Sequence, residues 1–133
     1  MKALLADTHS AIWYLADSPK PSSKAEKAMD KATDDSAPIY ISAITLVKMA
    51  YLIEKGRLPE KDLQDLLKVL NNRQSNFKLF PVDLAITQTL RKISRDDVPD
   101  MPDRIIAATA LHLGLPLVTR DRKIRSANLT TIW

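Results

Sequence analysis

Three aspartates occupy places in this chain where carboxylates can meet. Asp7 follows the apolar run Leu4-Leu5-Ala6, and Asp121 follows Leu117-Val118-Thr119, so each falls where a strand gives way to a helix. Asp103 lies in the first turn of a helical pattern over Met101–Leu113, whose inward stripe of Ile106, Ala107, Ala110 and Leu111 suits close packing on a sheet. The carboxyl ends of the strands in an open parallel sheet form one rim, and ligands bind there where the strand order reverses. Carboxylates gathered at that rim without matching bases repel one another unless a divalent cation neutralises them. An all-oxygen donor set suits Mg²⁺, or Mn²⁺. The competing reading is capping, because aspartate at an N-cap or first turn satisfies free amides and complements the helix dipole. Asp100, with Pro102 beside Asp103, reads as a cap rather than a ligand.

Lys48 is the odd residue of the pattern. On a helix near Ser42–Lys55 it falls between Ile44 and Leu52, beside Val47 and Tyr51, on the apolar face. A lysine there either snorkels to water or sends its ammonium to the acidic cluster, forming charge-assisted hydrogen bonds with Asp7 or Asp103. Glu54, six residues on, is rotated to a different face of the helix. Arg104, Arg120, Arg122, Lys123 and Arg125 crowd the neighbourhood of Asp103 and Asp121, where they suit phosphate contact or simply an exposed helix face. Ser42, Thr45 and Thr119 suit supporting hydrogen bonds around the acids or hydrogen bonds to a substrate phosphate, and equally suit caps. His9 is placed to touch a substrate or to bond locally, whereas His112 belongs to the far end of the Asp103 helix. Lys20, Lys24, Lys27 and Lys31, interleaved with Glu26 and Asp30, read as a solvated face.

The elements that must position these residues alternate. Short apolar runs at Lys2–Ala6, Ile39–Ile41, Lys78–Val82, Pro116–Thr119 and Leu129–Trp133 predict about five strands. Helical patterns lie near Thr8–Ala16, Ser22–Thr33, Ser42–Lys55, Pro59–Asn71, Asp83–Ile93 and Met101–Leu113, with a short one from Arg120. Such alternation implies a mostly parallel sheet covered on both faces. Gly56 and Gly114 punctuate helix ends, and Pro59 opens a helix. With 133 residues, 45% of them hydrophobic, the expectation is one domain over 1–133. The absence of cysteine excludes thiolate metal sites, disulfides and cysteine nucleophiles, and fits a reducing cytoplasm. The polar break at Asp7-Thr8-His9-Ser10 argues against a signal peptide or spanning helix, so no membrane association is expected. A formal charge of +4 favours a polyanionic partner only weakly.

The segments LLADTH, ISAITLVKMAYLIEKGRL and DMPDRIIAATALHLGLPLVTRDRKI resemble, in order and spacing, the PIN-domain family, specifically bacterial VapC-like toxins of toxin–antitoxin systems. The resemblance implies a three-layer α/β/α fold and a Mg²⁺-dependent endoribonuclease that leaves 5′-phosphate and 3′-hydroxyl ends. It also implies a VapB-like antitoxin partner and a homodimer. The family's acids map onto Asp7, Asp103 and Asp121, and Lys48 stands where the family has a glutamate. That exchange moves the local charge by two units and replaces an oxygen ligand with a cation, so lower metal affinity and severely reduced hydrolysis are expected. A catalytically dead module that binds antitoxin or RNA without cutting is the main alternative. An aspartyl-phosphate phosphatase fits less well, because His9 stands where its second aspartate would be. A receiver-like phosphoacceptor is likewise disfavoured, with Lys48 on a helix rather than after a strand.

Overall fold

The computed structural model describes residues 3–133. Its elements run β1 (Leu4–Ala6), α1 (Thr8–Leu15), α2 (Ser23–Asp34), β2 (Ile39–Ser42), α3 (Ala43–Glu54), α4 (Glu60–Asn71), β3 (Phe77–Phe80) and α5 (Leu84–Thr89), then a 3₁₀ turn (Leu90–Lys92), α6 (Met101–Leu113), β4 (Leu117–Val118), α7 (Arg122–Ser126) and β5 (Thr131–Ile132). Lys2, expected at the start of the first strand, lies outside the described residues. The strands form one five-stranded sheet in the order β3-β2-β1-β4-β5. Every pairing is parallel.

Alternation along each strand sorts side chains between two cores. Leu4 and Ala6 of β1 join Ala11 and Ile12 of α1, Met29 of α2 and Leu66 of α4 on one face. Leu5 points the other way, to Ile86 of α5, Ile106 and Ala107 of α6, and Ile124 of α7. Helix α3 borders both, burying Met49 on the first side and Ile44 on the second. This is the expected three-layer α/β/α arrangement. Burying each such aliphatic side chain contributes about 1.5–3 kcal/mol, so the two cores rather than the two- to four-residue strands hold the sheet.

Local chemistry explains where boundaries differ from the sequence expectation. The third strand ends at Phe80 rather than running to Val82, because Pro81 has no N–H to continue the ladder. The segment Asp83–Ile93 is not one continuous helix. Asp83 caps α5, accepting from Ile86 N at 3.1 Å. Within α5 the hydroxyls of Thr87 and Thr89 donate back to Leu84 O and Ala85 O at 2.7 and 2.8 Å, a pattern that bends helices, and the chain tightens into the 3₁₀ turn. Gly114 ends α6 in the left-handed region at φ 65°. No helix among the described residues is long and apolar enough to cross a membrane.

The sheet order fixes where a site can form. From β1 the chain passes to β2 on one side and later returns to β4 on the other, so the order reverses between the carboxyl ends of β1 and β4.

Candidate functional site

The paired strands β1 and β4 deliver Asp7 and Thr119 side by side. Their register, Leu5 with Leu117 and Ala6 with Val118, continues one step as Asp7 N donates to Val118 O at 3.1 Å. The Asp7 carboxylate is buried. Its Oδ1 accepts from Ser10 N at 3.0 Å, capping α1, and its Oδ2 accepts from the fully buried Thr119 hydroxyl. Thr119 Oγ1 in turn accepts from Asp121 N at 3.0 Å, and Asp121 Oδ1 accepts from Ile124 N at 2.9 Å, capping α7. Capping and convergence at the rim are therefore not alternatives: Asp7 and Asp121 do both.

Asp103 enters from the opposite wall, on the first turn of α6. Asp100 caps that helix as expected, accepting from Asp103 N at 3.4 Å. Lys48 reaches across from α3, its Nζ donating to Asp103 Oδ1 at 3.2 Å. A hydroxyl pair, Thr8 and Thr45 at 3.2 Å, ties α1 to α3 beside it. Of the two courses open to Lys48, the structure takes the inward one, with 21% of the side chain exposed. Burial pushes the Asp103 carboxyl up from 3.8 to about 6; Lys48 opposes that rise, and Asp100 and Asp121 add to it. At neutral pH the Asp103 carboxylate is ionised and accepts a charge-assisted hydrogen bond from Lys48.

One cleft is lined by Asp7, Lys48, Asp103 and Asp121, together with His9, Ser10, Trp13 and Arg120. Arg122 and Lys123 border a second depression that shares Asp103 and Asp121. Other expected phosphate contacts are not brought in. Arg104 Nε donates to Ile93 O at 2.9 Å, tying α6 to the preceding turn, and Arg125 is exposed outside both linings. Ser42 caps α3 through Ile44 N, and His112 lies exposed at the end of α6 near Phe80. Lys20, read as part of a solvated face, is exposed and has its Nζ 5.4 Å from the centre of the Trp13 ring. Trp13 itself was not singled out for the site. Its spacing of four from His9 on one helix was the signal that places both at the same wall.

The donor set does not fit a divalent cation as it stands. Both Asp7 oxygens already accept hydrogen bonds, one Asp103 oxygen is held by Lys48 and one Asp121 oxygen caps α7. Among the described residues no three His, Asp or Glu side chains are gathered closely enough to hold a metal ion.

The family model of the PIN domain matches residues 4–128. Ribonuclease VapC22 of Mycobacterium tuberculosis is 27% identical over 136 residues, covering 100% of both chains. Among solved structures, VapBC2 from Rickettsia felis bound to a promoter DNA fragment superposes with a TM-score of 0.69 at 16% identity, covering 97% of this chain and 96% of that one. DNA-bound VapBC from Salmonella typhimurium gives a TM-score of 0.66 at 22% identity, with 98% and 97% covered.

Proposed function

Because the chain belongs to the PIN-domain family, we propose that it is a VapC-type ribonuclease toxin whose hydrolysis of RNA phosphodiesters is strongly reduced by Lys48. The observation that carries the second half is the Lys48–Asp103 contact of 3.2 Å inside the acidic cleft. The first half is supported by the full-length similarity to a protein named as a ribonuclease, and by three aspartates at the reversal point of the sheet. In this reading Arg120, Arg122 and Lys123 hold phosphates of the RNA against the cleft, and Thr119 fixes the Asp7 carboxylate. Mg²⁺, the cofactor that the family resemblance implies, binds weakly because a tethered ammonium already neutralises Asp103. A VapB-like antitoxin and a homodimer belong to the same proposal, the former supported by the VapBC complexes among the structural neighbours.

A second reading, a module that holds RNA or antitoxin without cutting, is favoured by the same contact. One assay separates them. End-labelled single-stranded RNA is incubated in Mg²⁺ with the parent chain, with Lys48→Glu, and with Lys48→Glu combined with Asp121→Asn. The expected outcome is slow cleavage by the parent, a rate higher by ~100-fold for Lys48→Glu, and background for the double variant. Background cleavage by Lys48→Glu would sink the ribonuclease reading. Cleavage indifferent to Asp121→Asn would sink the site.

A further inference from the structure

The acidic cleft has an aromatic wall that phosphodiester hydrolysis does not require. His9 and Trp13 stand one turn apart on α1, their ring centroids 5.5 Å apart at 45°. The guanidinium carbon of Arg120 lies 4.7 Å from the Trp13 ring centre, and Trp133 supports the ring from 6.1 Å. His9, Trp13 and Arg120 line the same cleft as the aspartates and Lys48. His9 is exposed, while Trp13 and Trp133 are half-buried and pack against the first core, so the ring is held in place before anything binds.

We propose that His9, Trp13 and Arg120 form a stacking subsite for one unpaired nucleobase of the RNA, next to the phosphate that meets the acidic cleft. The proposal rests on the ribonuclease reading and names the form of substrate it takes. A planar guanidinium over an indole extends the aromatic surface, and Arg planes and aromatic rings are the surfaces on which splayed bases stack. The exposed His9 ring offers its nitrogens to a base edge. Ser10 Oγ, buried on the same wall and without a partner among the described residues, adds a polar group that a ribose or phosphate oxygen can satisfy. Lys20 and Arg120, on the rim around the ring, meet the flanking backbone. A base held in a duplex has no free face to stack, so the subsite selects single strands.

The test measures binding in EDTA, so that no cutting enters. Fluorescence anisotropy compares a labelled single strand of about eight nucleotides, the same-length abasic ribose-phosphate strand, and the duplex, each with the parent chain, Trp13→Phe and Trp13→Leu. The parent is expected to bind the base-bearing strand ~10-fold more tightly than the abasic strand and the duplex. Trp13→Phe keeps most of that difference and Trp13→Leu removes it. Equal affinity of the parent for base-bearing and abasic strands overturns the subsite while leaving the RNA reading intact. No binding of either strand overturns both, and needs no variant to fold.

Discussion

Asp103 sets the electrostatics of the cleft. Its folded pKa, raised by burial to about 6 from 3.8, means that the folded chain favours the protonated carboxyl. The stability this contributes is complete below the unfolded value and is lost as pH rises through about 6. Asp103→Asn cannot ionise and should escape that loss. Melting temperatures of parent and variant, followed from pH about 4 to about 8, should diverge in the variant's favour as pH rises from about 4 to about 6 and keep that separation above it, whereas curves parallel throughout would refute it. Thr119 is the second test at this scale. Thr119→Val removes the buried donor to Asp7 and should cost about 1–3 kcal/mol in urea unfolding; a loss within error would mean that Asp7 finds another partner. Much of this residue set was legible in the sequence, because strand-end and helix-start positions follow from local apolar pattern. Lys48 was legible as an anomaly, though its choice of Asp103 over Asp7 depended on the approach of α3 to α6. The tie of Arg104 to the carbonyl of Ile93 was not legible, since it depends on where the intervening turn is placed. Trp13 escaped because an aromatic on a mostly apolar helix usually means core.

Helix α6 matters to the cleft through its first turn. Its cap, Asp100, holds the backbone at Asp103 and so the direction from which that carboxylate meets Lys48. Asp100→Ala should cost ~1 kcal/mol of stability and loosen the ion pair. Hydrogen exchange at the amides of the first α6 turn is the check, and unchanged protection there would contradict the capping role. Element order and the parallel sheet followed directly from alternation of periods in the sequence. The ends of elements were harder to place. Pro81 cut the third strand short, and threonine hydroxyls bonding back to their own helix split the segment after Asp83 into α5 and a 3₁₀ turn. Both effects depend on single hydrogen bonds rather than on apolar periodicity.

At the scale of the molecule, a net charge of +4 is distributed so that acids line the cleft and cations ring it. RNA binding should therefore weaken with salt, and Arg122→Gln should reduce the slope of log affinity against log salt by about 0.7, the increment for one single-strand phosphate contact. An unchanged slope would remove Arg122 from the RNA path. The same balance of charge gives the most direct test of the role assigned to Lys48. Mg²⁺ is titrated calorimetrically into the parent and into Lys48→Glu, with circular dichroism confirming that both fold alike. Tighter Mg²⁺ binding by ~100-fold in Lys48→Glu is the predicted result. Equal affinity in the two proteins would contradict the proposal that Lys48 stands in for a metal at Asp103.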